Sequence, residues 1–515
     1  MRRLVFIVMM LVSACCLGQQ AETARYELPL LGKDHDCRFL SFQEAGGMMV
    51  YETDQIDDDK KQLWNFITLD TSLYEKRSDL IALPQKLRLL DAKSSPQWAA
   101  FVFLDEKQSK SDSVVFHVVT YHRSEQKFST FRDRLPERSV VHSIALLDGT
   151  LMLAVNNRSG NGFLSQYGLD THWHRNVNPN LGNDFILFQF SADQEEGVFI
   201  AAAREYVEKR YKATSFLVYS KEGRLLSQHR FENGENSALG RMCFTFNDLH
   251  QLVVLATLER EGNKKVDIEG VTEDFSKISV GVTWICFGTG TPVAKTYLFK
   301  NLPDIEKALT PSDRIKVRSE MLRISQGKKT ERGEIAFQFM SPRIVKFGEN
   351  LVFAAEAFQP VYHTETRIQY GYYGSYPMTY TVFDGYDFFS EILLAFNGEG
   401  DLQWQRSVRF ENELSEVLAE RSFEAVCHDE LLVVSPSMNT LRYEVFDRDG
   451  APLLDQHTMR LDYLFGTDAC EVDDYEGINK WFGDRFYVHG CQIVRNDQLR
   501  NTRRSVFYVQ KVQYE

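Results

Sequence analysis

Tyrosines crowd one stretch of this chain. Residues 359–390 (QPVYHTETRIQYGYYGSYPMTYTVFDGYDFFS) hold Tyr362, Tyr370, Tyr372, Tyr373, Tyr376, Tyr380 and Tyr386, with Phe383 among them and Gly371, Gly374 and Gly385 between. Tyrosine joins a broad apolar ring to one polar handle, which suits stacking on a sugar ring or gripping a protein partner. The same composition also suits an extended hairpin whose tyrosines pack on one another and on the neighbouring structure, because half-buried strands favour tyrosine.

Metal chemistry has three candidate places. His172 and His174 flank Trp173 in THWHR. A spacing of two puts both on one face of a strand, where they could share a metal. No third ligand is near in sequence, so solvent-facing structural histidines are the better expectation. The acidic runs 54–59 (DQIDDD) and 471–476 (EVDDYE) supply oxygen ligands, but neither has the spacing of a calcium loop. Asp447-Arg448-Asp449-Gly450 reads as a hairpin turn. No metal site is therefore expected, although calcium at 54–59 stays open.

Nucleophilic catalysis finds no linear signature. There is no GxSxG elbow and no Cys/His arrangement with a recognisable context. Cys15 and Cys16 fall in the N-terminal apolar segment. Cys37, Cys243, Cys286, Cys427, Cys470 and Cys491 form no CxxC pair. If a disulfide forms, Cys470 with Cys491 is the expected pair. The competing reading makes most of these cysteines small buried hydrophobes.

The elements that must carry these residues repeat along the chain. Residues 393–404 (LLAFNGEGDLQW) set the outline: an alternating apolar run, a Gly-containing turn, then a second strand leading to Trp404. Such a pattern predicts a β-hairpin with one buried face. Residues 216–226 (FLVYSKEGRLL) and 443–453 (YEVFDRDGAPL) match, with Gly223 and Gly450 where the template has Gly400. Fainter copies lie at 65–74, 114–128, 163–173 and 283–293, and a truncated one at 505–514. Each follows a second hairpin-like unit, so the repeat is four strands, roughly 50 residues long. Eight units predict an all-β fold: a single β-propeller of four-stranded blades, eight favoured and seven possible. Residues 25–30 (RYELPL) would supply the strand missing from the last unit.

These Gly-turn-to-Trp units resemble the β-propeller superfamily, particularly blades of the pyrroloquinoline-quinone-dehydrogenase type. Trp404 and Trp173 stand at the tryptophan position. The chain also looks like exported, uncharacterised propeller proteins of Bacteroidota. The first likeness would imply a redox enzyme, but no residues here map onto ligands of that cofactor, and no cofactor is expected. A propeller is a scaffold for many functions.

The period breaks at about 302–326. Thr310 reads as an N-cap and Pro311 as the first helical residue, so a short helical insertion is expected there. The N-terminus reads as an export signal over 1–18, with Arg2 and Arg3 before an apolar core at 4–12, and the propeller would occupy 22–515. Ser13-Ala14-Cys15 resembles a lipobox that would place a lipid on Cys15, but Val12 is less usual than Leu there, so cleavage near Gly18–Gln19 to a soluble protein is preferred. No later segment suits a membrane span. The net charge of −13 argues against nucleic acid.

Together these readings predict an exported protein of a bacterial envelope, in the periplasm, at the outer membrane surface or outside the cell. It would be a non-enzymatic binding or scaffold module for an envelope protein or glycan, with the Tyr-rich insertion as its surface. The alternative is a hydrolase or lyase acting on polysaccharide through carboxylates at the channel mouth.

Overall fold

The computed structural model describes residues 24–514, apart from 31–36, 106–112, 158–159, 172, 235–236, 262–276, 330–332, 341, 372–373, 417, 438, 497 and 499–501. The expected leader, with Cys15, lies outside the described residues.

Strands pair with their neighbours in sequence and divide into eight sheets. Blade 1 is Cys37–Ser41, Gly47–Ile56, Gln62–Leu69 and Glu75–Leu83. Blade 2 is Leu87–Ser94, Trp98–Asp105, Ser113–His122 and Lys127–Glu137. Blade 3 is Ser139–Leu147, Thr150–Asn157, Gly160–Gly168 and His174–Val177. Blade 4 is Asp184–Asp193, Val198–Val207, Arg210–Ser220 and Leu225–Glu232. Blade 5 is Ala238–Phe246, Leu252–Glu261, Lys277–Phe287 and Val293–Leu298. Blade 6 has an interrupted first strand (Gln338–Phe339 and Arg343–Phe347), then Asn350–Gly371, Gly374–Phe396 and Leu402–Ser415. Blade 7 is Phe423–Cys427, Glu430–Ser437, Thr440–Phe446 and Pro452–Arg460. Blade 8 is Asp468–Lys480, Arg485–Asn496 and Thr502–Gln513, completed by Ala24–Pro29 from the other end of the chain. The fold is an eight-bladed β-propeller, and the register Ala24↔Lys511 to Pro29↔Val506 ties its two ends together.

The first strand of each blade touches the first strand of the next, from blade 1 round to blade 8. First strands therefore face the axis and fourth strands the rim. Middle strands are covered on both faces by neighbouring blades, so they read as unbroken apolar runs such as Ala99–Phe103, all buried. Trp64 and Phe66 of blade 1 meet Phe103 and Phe101 of blade 2 edge-on, with centroids 4.8 and 5.2 Å apart.

A tryptophan–glycine contact recurs between blades. Trp98 packs on Gly149, Trp284 on Gly400 and Trp404 on Gly450, each glycine lying in a turn of the following blade with positive φ. Trp481 of blade 8 donates from Nε1 to the Gly46 carbonyl of blade 1 at 3.1 Å. Glycine serves both needs at once: the left-handed turn and the missing Cβ that lets an indole lie against the backbone.

Among the described residues the one α-helix, Pro311–Ser325, falls between blades 5 and 6 with Thr310 as N-cap, its Oγ1 accepting from the Asp313 amide. Short turns before it bury Phe299, Ile305 and Ala308 against both blades. Among the described residues no helix is long and apolar enough to cross a membrane.

Candidate functional site

Blade 6 carries the Tyr-rich insertion as an arm. Its second and third strands run 22 and 23 residues. Within the blade they hold fully buried Phe353, Ala355, Ile392 and Leu394. The fourth strand ends at Ser415, opposite Tyr386. Past that point the ribbon has two strands, paired from Val361↔Gly385 to Gly371↔Gly374. Gly385 marks the departure: at φ +142°, a Cβ there would stand 2.7 Å from the Ser415 carbonyl oxygen.

The arm divides its tyrosines between two jobs. Tyr386 is buried at the root, edge-on to Phe358 at 5.8 Å and to Phe383 at 4.9 Å. Tyr362 packs on the other side of Phe383 at 5.6 Å. Further out, Tyr376 is half exposed and donates to Gln369 Oε1 at 3.1 Å. Tyr380 lies opposite Glu365 with the Arg367 guanidinium 5.9 Å from its ring. His363 sits between Asp384 and Glu365, whose hydrogen bonds raise its pKa. Tyr372 and Tyr373 lie outside the described residues, as does the side chain of Tyr370.

Below the arm is a buried ionic cluster that linear motifs did not reveal. Glu356 and Glu391 are direct cross-strand partners, and both are fully buried. Arg343 reaches both, at 3.1 and 3.4 Å, and grips Glu424 of blade 7 with two bonds of 2.8 and 2.6 Å. The amides of Arg421 and Ser422 donate to Glu356, both at 2.8 Å. Burial, and then the negative charge of Glu424, hold the Glu391 carboxyl well above the usual range, so it keeps its proton. Burial would raise Glu424 too, but Arg343 and the hydrogen bond from Glu391 outweigh it and Glu424 stays ionised. The proton removes the like-charge repulsion that two facing glutamates would otherwise impose. In sequence the only sign was a single glutamate in each of three apolar strands, AAEAF, SEILLAF and SFEAVC.

Glu424 also borders a cavity of about 500 Å³ along the axis. The other carboxylates there have structural partners. Asp193 accepts from the amides of Glu195 and Glu196 at 3.0 Å, and Glu195 pairs with Lys346 at 2.8 Å.

The remaining sequence candidates take structural positions. His174 stacks on Tyr167 at 4.5 Å with Nε2 near Ser165 Oγ at 3.0 Å, while His172 lies outside the described residues. Asp57 accepts from the Lys61 amide within its own turn. Glu471 pairs with Arg495 and Arg503, and Glu476 with Arg38. Asp447 accepts from the amides of Asp449 and Ala451. Among the described residues no three side chains gather that could hold a metal ion. Cys470 lies opposite Val494 and Cys491 opposite Asp474, so these two do not face each other and both thiols are free.

No family model and no curated protein matches this sequence. Solved structures do. The chain is similar to prolyl oligopeptidase B from Galerina marginata (8% identity, TM-score 0.40), matching over 92% of this chain and 56% of that one. It is also similar to the propeller domain of the trilobed protease from Pyrococcus furiosus (9%, 0.35; 82% and 95%) and to the polysaccharide lyase Uly1 (8%, 0.38; 82% and 89%). The chain spans about half the length of the prolyl peptidases it matches.

Proposed function

We propose that this chain is a non-enzymatic binding or scaffold module of a bacterial envelope, with the arm of blade 6 as its gripping element. The observation that carries the reading is the ribbon beyond Tyr386, which has two strands and exposes Tyr376, Met378 and Ile368. A two-stranded ribbon is marginal by itself in water. This one is instead braced at its root by Tyr386, Phe358, Phe383 and the Arg343 cluster, which spends structure on holding it out from the body. A protein partner laid along the arm would cover the exposed rings and complete their burial. Export, and anchoring through a lipid on Cys15, belong to the same reading and rest on the pattern of residues 1–20. The channel carboxylates are tied up by Arg343, Lys346 and backbone amides, which favours binding over acid–base chemistry on a polysaccharide.

The test is a pull-down from an envelope fraction, comparing the intact chain with one in which residues 362–383 are replaced by Asn-Gly. A partner held by the intact chain and lost by the folded, shortened one is expected. A partner held equally by both would remove the arm from the function.

A further inference from the structure

Five tryptophans serve the packing between blades: Trp64 faces blade 2, and Trp98, Trp284, Trp404 and Trp481 each lie on a glycine turn of the following blade. Trp173 breaks the rule. By position it should lie on Gly223 of blade 4. That place is filled by Gln166 and Arg175, hydrogen-bonded to each other at 2.8 Å. The Trp173 indole folds instead over Gly168 of its own blade, where a Cβ would collide with it, and 38% of the residue stays exposed. The interblade role is thus taken by a polar pair and the indole stays at the surface.

What it meets is a cavity of about 310 Å³ that it lines together with Trp98, His122, Asp148, Asp170 and Lys221. The Trp98 and His122 rings are 4.4 Å apart, so aromatic surface continues across the floor. Polar groups stand round the rim. Small-molecule sites span about 300 to 1,000 Å³, which places this one at the size of a single ring or two. Arg175 already stands 5.4 Å from the Trp173 ring centroid, and Lys221 adds a second positive charge beside Asp148 at 3.3 Å. The lining also carries the carboxylates of Asp148, Asp170 and Glu222, so a cationic ligand, the other usual occupant of an aromatic site, is told apart by experiment rather than by charge.

We infer that Trp173 and Trp98 form a binding site for a neutral saccharide unit, its C–H face stacked on indole and its hydroxyls hydrogen-bonded to the Asp170, Asp148 and Lys221 rim. The site lies on turns joining first to second and third to fourth strands. The arm springs from a turn joining second to third, at the opposite end of the propeller. The site therefore works independently of the arm.

The experiment uses the chain labelled with 5-fluorotryptophan and fluorine NMR, with resonances assigned by single Trp→Phe variants. Probes are cellohexaose, chitohexaose and mannohexaose at millimolar concentration, and choline chloride as a cation. At least one saccharide should shift the Trp173 and Trp98 resonances saturably while Trp64, Trp284, Trp404 and Trp481 stay in place. Trp173→Ala should weaken that binding at least tenfold, with the five remaining resonances reporting an intact fold, and Asp170→Ala should weaken it severalfold. The arm-shortened chain should bind as the intact one does. The inference is overturned if no saccharide moves the Trp173 resonance, if binding survives Trp173→Ala, or if choline alone produces the shift.

Discussion

Trp404 lies across Gly450, with its Nε1 donating to the Arg448 carbonyl at 3.0 Å and its ring where a Cβ on residue 450 would come within 2.5 Å. The contact joins the fourth strand of blade 6 to a turn of blade 7. Gly450 has φ +71°, so a side chain there is strained by the backbone as well as by the indole. Gly450→Ala should cost about 2–4 kcal/mol, from left-handed strain and overpacking together. Urea unfolding checks it. Gly466→Ala, with open space around the added methyl, should leave the midpoint nearly unmoved.

The Arg343 cluster predicts an asymmetry between two glutamates that look alike in sequence. Glu391 already carries a proton, so at acidic pH, where the unfolded chain is protonated there too, Glu391→Gln replaces a neutral donor with a neutral donor and should change stability by no more than about 1 kcal/mol. Glu424 carries the charge that Arg343 grips. Glu424→Gln takes the two-bonded counter-ion from a half-buried guanidinium that keeps Glu356 and Glu420, and should cost about 3 kcal/mol. Equal effects in denaturant titrations would refute the assignment of the proton.

The same proton sets a pH dependence. The folded pKa of Glu391 is raised, so its contribution is fully present below the unfolded carboxylate range and is lost as pH rises toward the folded value. In that window the folded state binds the extra proton, and stability falls with pH by at most roughly 1.4 kcal/mol per unit from this group. Glu391→Gln should abolish that slope, so its stability relative to wild type rises with pH. Glu424 works in the opposite sense: its lowered pKa gives stability that is lost as pH falls through the folded value. Unfolding of both variants across a pH series separates the two.

The propeller was legible because its physics is periodic. Apolar alternation recurs from unit to unit, the Gly223, Gly400 and Gly450 turns stand at the same point of their units, and residues 25–30 carry a strand pattern that the last unit lacks. Blade 6 was legible as an insertion but not as an arm. Where the ribbon outruns the fourth strand depends on Ser415 ending opposite Tyr386, which is a matter of pairing rather than pattern. The Arg343 cluster was not legible, because its members come from four strands of two blades and a lone glutamate in an apolar strand announces no partner. Trp173 looked like a regular member of the repeat. Only the three-dimensional contacts show Gln166 and Arg175 in the place its indole would fill.

The tyrosines of the arm should separate by experiment as they do in space. Tyr386 is buried among Phe358, Phe383 and Phe388 at the point where three strands become two. Truncating a buried ring of that size leaves a cavity and exposes the facing rings, so Tyr386→Ala should cost about 3–5 kcal/mol. Tyr376 and Tyr380 stand on the ribbon past the end of the fourth strand, the first exposed and the second half-buried. Replacing both with serine removes little buried area and should shift stability by no more than about 0.5 kcal/mol. If the arm grips a partner through these rings, the double variant should lose most of the affinity while melting as wild type does. A double variant that binds normally would show that Tyr376 and Tyr380 take no part in the grip.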